Sequence, residues 1–193
     1  MGEGVDDHPS RVVLLGPPGA GKGTQAQVLG RCLGVPAIST GDLLREAVAA
    51  ENELGRRVRA SMGDGKLVAD EVMAEVVRER LGQPDARRGY LLDGFPRTLP
   101  QAEILEGMLR DAGDRLDAVL LLDVPEEVVV GRALLRKRGD DAEAVIRERL
   151  KEYREKTVPL IGYYRQRGLL RAIDGDRPIE EVTAAMLGLF GVC

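Results

Sequence analysis

Tryptophan is absent from this chain of 193 residues, and two phenylalanines and four tyrosines are its whole aromatic complement. So thin a supply builds no stacking platform of the kind single-stranded nucleic acids need. Lysine is scarce too: it stands only at 22, 66, 137, 151 and 156, and arginine supplies the other basic groups. Acidic side chains outnumber basic ones, for a net charge of -4. The field of the whole molecule therefore recruits neither nucleic acid nor an anionic membrane, and any phosphate must be gripped locally. The two cysteines, Cys32 and Cys193, have no metal-type spacing and no disulfide framework. They fit a reducing cytoplasmic compartment and a protein without structural zinc. The single histidine, His8, falls in a polar, acidic stretch over residues 1–10 that reads as a tail, not a signal peptide. No apolar run approaches the ~18 residues of a membrane span.

What the chain has is alternation. Short aliphatic runs at 11–15, 35–39, 89–93, 118–123 and 169–174 read as strands buried on both faces. Helical periodicity fills 21–33, 99–112, 126–138 and 179–189, and a long segment, 141–166, where Pro159 predicts a bend. Pro125 suits the first turn of the helix after it. Strands alternating with helices predict an α/β fold with a mainly parallel sheet and right-handed crossovers. About fifty residues, 40–88, separate the second and third strands, far more than a crossover needs. They read as a helical insert standing off the sheet.

The most informative segment is Gly16-Pro17-Pro18-Gly19-Ala20-Gly21-Lys22-Gly23-Thr24, directly after Val12-Val13-Leu14-Leu15. A strand, a glycine-rich turn and a helix converge several backbone N–H groups on one point, which suits a phosphate chain. Lys22 adds a compact positive charge for the outer phosphates. In the general pattern the lysine is followed at once by Ser or Thr, whose hydroxyl ligates Mg²⁺. Here Gly23 intervenes and Thr24 comes one position late. The metal of Mg-ATP is then expected on phosphate oxygens and waters, with acidic help from elsewhere.

This variant of the loop resembles that of the nucleoside monophosphate kinases, the adenylate kinases in particular, and the resemblance runs from Arg11 onward. It implies a P-loop NTPase-type, five-stranded parallel sheet flanked by helices in one domain. The core would comprise 10–38, 69–131 and 142–193, with a monophosphate-binding insert over 39–68 and a lid over 132–141. It also implies that Gly19, Ala20, Gly21, Lys22, Gly23 and Thr24 bind ATP.

Further segments carry the same resemblance. In Ile38-Ser39-Thr40-Gly41-Asp42-Leu43-Leu44-Arg45, the family's arginine grips the acceptor phosphate, and Arg45 is the match. A capped amphipathic helix with Thr40 as N-cap accounts for the same residues. Gly65-Lys66-Leu67-Val68 resembles the segment that packs the acceptor base. Leu92-Asp93-Gly94-Phe95-Pro96-Arg97 places Asp93 at the carboxyl edge of a buried strand, where a hydrated Mg²⁺ is a plausible partner. The resemblance assigns Gly94 and Arg97 to the acceptor and Gln101 to its adenine. A glutamine amide donates and accepts at once, which suits the N1 and N6 edge. Uridylate/cytidylate kinases tend to carry alanine and asparagine where Thr40 and Gln101 stand, so AMP is expected over UMP or CMP.

Phosphoryl transfer is mostly positioning and charge stabilisation. By resemblance, Arg132 and Arg136 contact ATP, and Arg138 and Arg149 stabilise the transferring group. A solvated, charged helix end accounts equally for these arginines taken singly. Gly175 and Arg177, in Asp174-Gly175-Asp176-Arg177-Pro178, resemble the loop against the ATP base. Only Lys137 separates Arg136 from Arg138, where family members carry several more residues. The lid is expected to be a tight turn, with weaker ATP binding or more ATP hydrolysis as its consequence. The expected reaction is Mg-ATP + AMP ⇌ 2 ADP in a monomer, with Lys22, Arg97, Arg138 and Arg149 as catalytic groups. Another small-molecule kinase of this fold and a non-catalytic nucleotide-binding module are the rival readings.

Overall fold

The computed structural model describes residues 11–136 and 142–191. Its strands are β1 (Arg11–Leu15), β2 (Ala37–Ser39), β3 (Tyr90–Asp93), β4 (Ala118–Asp123) and β5 (Leu170–Asp174). All pair in parallel, in the order β2-β3-β1-β4-β5. β1 is central, so the glycine-rich loop leaves the middle of the sheet at its carboxyl edge. The order reverses there: the next strand in the chain lies to one side of β1 and β4 lies to the other.

Alternation along β1 divides the core. Val13 and Leu15 face one layer, with α5 (Leu99–Asp111) and α8 (Pro159–Gln166) packed through Leu105, Leu160 and Tyr164. Val12 and Leu14 face the other, covered by α1 (Lys22–Leu33), α6 (Glu126–Arg136), α7 (Glu143–Glu152) and α9 (Ile179–Gly188). Burial on both faces is why these strands read as continuous aliphatic runs. The insert between β2 and β3 forms α2 (Thr40–Ala49), α3 (Glu53–Gly63) and α4 (Asp70–Leu81), followed by a 3₁₀ turn over Pro84–Ala86.

Three details differ from the sequence reading. β2 begins at Ala37, not 35, because the Val35 N–H is spent on the Gly30 carbonyl (2.9 Å), which closes α1. α2 is capped by Ser39, whose Oγ accepts from Asp42 N (3.2 Å); Thr40 is already helical. The expected bent helix over 141–166 is instead α7, a π-helical turn at Tyr153–Thr157, and α8. Pro159 lacks an N–H and crowds the preceding turn, so it starts α8 while the wider turn takes up the mismatch. The Val158 N–H reaches back five residues to the Tyr153 carbonyl (2.9 Å).

Candidate active site

A cleft of about 590 Å³ opens at the carboxyl edge of the sheet, between the glycine-rich loop and the helical insert. The loop's shape is dictated sterically. Gly19 has φ +93°, and a Cβ there would sit 2.5 Å from the Val129 carbonyl oxygen on α6. Lys22, the first residue of α1, donates from Nζ to the carbonyls of Gly16 (2.9 Å) and Pro17 (3.0 Å). The ammonium is thereby held across the loop. Gly19, Gly21, Lys22, Gly23 and Thr24 line the cleft; Ala20 is buried behind them.

Across the cleft, Arg45 on α2 pairs with Asp42 one turn earlier. Arg97 follows the Gly94-Phe95-Pro96 turn, whose Phe95–Pro96 peptide is cis. Its Nε donates to the Gly94 carbonyl (2.8 Å). Gly94 has φ +92°, and a Cβ there would stand 2.5 Å from Thr40 Oγ1 and 3.0 Å from an Arg97 terminal nitrogen. Thr40 Oγ1 itself donates to the Asp93 carbonyl (3.3 Å). Burial lowers the Arg97 pKa; Asp93 opposes that, while Arg149 and Arg45 add to it. Arg45, Arg97 and Arg149 thus line one cleft with the carboxylates of Asp42 and Asp93, an excess of guanidinium suited to a multiply charged anion.

Two contacts fix the Arg97 backbone. Its N–H donates to Gln101 Oε1 (2.8 Å), and its carbonyl accepts from Thr157 Oγ1 (2.9 Å), in the π-helical turn. Gln101, 2% exposed on the cleft wall, also donates from Nε2 to Asp70 Oδ1 (2.8 Å). Thr98, the N-cap of α5, donates to the same oxygen (3.0 Å) and accepts from Gln101 N (3.2 Å). Lys66, Leu67 and Val68 line the same end of the cleft, after a Gly65 turn that packs on Val145 and Arg149 of α7.

Asp93 ends β3 beside the loop, paired in register with Leu14 of β1 and Ser39 of β2. A Cβ on Gly23 would lie 3.7 Å from its Oδ2. Among the described residues no three acidic, cysteine or histidine side chains gather as a metal cage. One carboxylate facing a phosphate loop fits a hydrated Mg²⁺ carried by phosphates, and does not fit a metal held by protein alone.

A family model described as adenylate kinase matches residues 14–169, which include the loop, the insert and both sides of the cleft. The chain belongs to the adenylate kinase family. It is 49% identical to the adenylate kinase of Chelativorans sp. (strain BNC1), across 93% of this chain and 97% of that one. With the adenylate kinase of Thermobifida fusca (strain YX) the identity is 55%, over 90% and 94% of the two chains. With that of Corynebacterium urealyticum it is 52%, over 92% and 97%. An adenylate kinase transfers a phosphoryl group between adenine nucleotides, and that is the reaction of this chain.

Most of the described residues expected of such a kinase meet at the cleft; Ala20, Gly175 and Arg177 are outside its lining. Arg132 lines it and also reaches the β5–α9 loop, donating to the Gly175 carbonyl (2.9 Å) and pairing with Asp176 (3.3 Å). Gly175 itself is outside the lining, its N–H donating to the Asp123 carbonyl (2.8 Å). Arg177 is also outside it and pairs with Asp174 (2.9 Å), which lowers the Asp174 pKa through that hydrogen bond. The backbone of Arg136 ends α6, and Arg138 lies outside the described residues, as does the second half of the expected lid. Sequence reasoning missed the roles of Asp70 and Thr157. The Thr98-x-x-Gln101 spacing before an apolar run is a capping-box pattern that marks the start of α5 but points to no role for Asp70. No signal existed for Thr157.

Proposed function

We propose that this cleft transfers the γ-phosphoryl group of Mg-ATP to AMP, reversibly, giving two ADP. A phosphate oxygen of AMP is the nucleophile. It forms a bond to the γ-phosphorus as the bond to the β–γ bridging oxygen breaks, and ADP leaves with that oxygen. No side chain needs to be phosphorylated, so the residues act by position and charge. Lys22 leaves the loop carbonyls for the β- and γ-phosphates, which the loop N–H groups also hold. Arg45 and Arg97 hold the AMP phosphate in line. Arg149, and Arg138 beyond the described residues, take up the charge that develops on the transferring group. Mg²⁺, when bound with ATP, would neutralise phosphate charge, and Asp93 would hold it through water.

The insert over 39–68 carries the acceptor and the segment 132–141 is the lid. Arg132, Arg136, Gly175 and Arg177 serve the ATP side; the Arg132 bonds to the 175–176 loop support that grouping. Among the described residues no helix is long and apolar enough to cross a membrane. Cysteine usage supports a cytoplasmic protein, and the protein acts as a monomer.

The observation that carries the proposal is the meeting of Lys22, Arg45, Arg97 and Arg149 around one 590 Å³ cleft. The test is ADP formation from Mg-ATP with AMP, UMP, CMP and GMP, for the wild type and Arg138→Ala. AMP is the preferred acceptor, and Arg138→Ala lowers its turnover about 10²-fold or more. Preference for UMP or CMP would make the chain a uridylate/cytidylate kinase. ATP binding without AMP-dependent ADP formation would make it a non-catalytic module.

A further inference from the structure

We infer that Asp70 is a specificity-determining positioning residue: its carboxylate locks the Gln101 amide in the one orientation that reads adenine and rejects a 6-oxopurine. The inference rests on the reading of Gln101 as the contact to the acceptor base.

A side-chain amide has two donor hydrogens and two acceptor lone pairs. Both ends of the Gln101 amide face partners of fixed sense. Asp70 Oδ1 can only accept, so the atom 2.8 Å from it must be the NH₂. The Arg97 N–H can only donate, so the atom 2.8 Å from it must be the carbonyl oxygen. The Thr98 hydroxyl, donating to the same Asp70 oxygen at 3.0 Å, holds the carboxylate in place. One N–H and one lone pair of Gln101 remain, and Gln101 lines the cleft. Adenine presents an acceptor at N1 beside a donor at N6, which this amide matches. Hypoxanthine and guanine present a donor at N1 beside an acceptor at O6. Pairing with them requires the amide to turn over, which would set its oxygen against the Asp70 carboxylate and its NH₂ against the Arg97 N–H. An asparagine at 70 can turn its own amide to meet either orientation, so one of the two locks is removed.

IMP is the right probe because it has the reversed edge without the 2-amino group of GMP. Steady-state rates with Mg-ATP and either AMP or IMP are compared for the wild type, Asp70→Asn, Asp70→Ala and Gln101→Ala. Asp70→Asn lowers the AMP-over-IMP ratio of kcat/KM about tenfold, with kcat for AMP within about twofold of wild type. Asp70→Ala lowers the ratio as well and raises KM for AMP. A merely structural Asp70 would reduce both acceptors by one factor; an unchanged ratio in both variants overturns the inference. If Gln101→Ala still collapses the ratio in that case, the reading of Gln101 survives. If Gln101→Ala leaves KM for AMP and the ratio unchanged, that reading fails and the lock fails with it.

Discussion

On the acceptor side of the cleft the Arg97 backbone and the Gln101 amide are held by partners that a nucleotide need not displace, while the guanidinium groups of Arg97 and Arg45 are engaged by the Gly94 carbonyl and by Asp42. Arg97 is fixed through both backbone groups, by Gln101 and by Thr157, and Gln101 is fixed by Asp70. On the donor side the groups meant for phosphate are spent on the protein's own carbonyls: Lys22 on Gly16 and Pro17, Arg132 on Gly175. On the proposed function, the acceptor side would read a base through side chains, and ordering it in advance would lower the cost of binding. The donor side would grip phosphates mostly through backbone and would reorganise when they arrive. Chemistry common to every triphosphate needs no more than that.

The difference ranks the substitutions. Lys22→Met removes the one cation that must leave the loop for the transferring phosphates. The expected loss is about 10³-fold in kcat/KM for ADP formation with either nucleotide varied; a loss below about tenfold would mean that the loop N–H groups suffice. Gly94→Ala strikes the acceptor side alone. Its Cβ would press to 2.5 Å on Thr40 Oγ1, at a φ of +92° that alanine resists. We expect a cost of about 1–3 kcal/mol in urea unfolding and a KM for AMP raised about tenfold, with the ATP dissociation constant unchanged. An equal rise for ATP would blur the two regions into one. The smallest effect is expected from Thr157→Val, which leaves the Arg97 carbonyl without its hydroxyl donor. It should cost about 1 kcal/mol of stability and raise KM for AMP a few-fold; a change confined to ATP would contradict the clamp.

The donor side was the more legible of the two. Its function resides in backbone, and backbone shape follows from glycine spacing and a preceding aliphatic run, both visible within 16–24. The strands were equally plain, because burial on both faces leaves uninterrupted aliphatic residues. The acceptor side was legible where a residue lines the cleft itself, as at Arg45, Arg97 and Gln101. It was not legible where a residue acts on another residue. Asp70 meets Gln101 across 31 positions and Thr157 meets Arg97 across 60. Such pairings depend on the insert folding back and on a π-helical turn that no local pattern announces. The N-cap of α2 was misplaced by one position because Ser39 and Thr40 are both capping residues, and only the end of β2 decides between them.

The most direct test of the account is base selectivity measured separately at the two sides. One series varies the donor, as Mg-ATP, GTP, CTP and UTP with AMP; the other varies the acceptor, as AMP, IMP, CMP and UMP with Mg-ATP. If side chains read the acceptor base while backbone grips the donor phosphates, the spread in kcat/KM across acceptors exceeds the spread across donors by about tenfold or more. Donors separated as sharply as acceptors would contradict it.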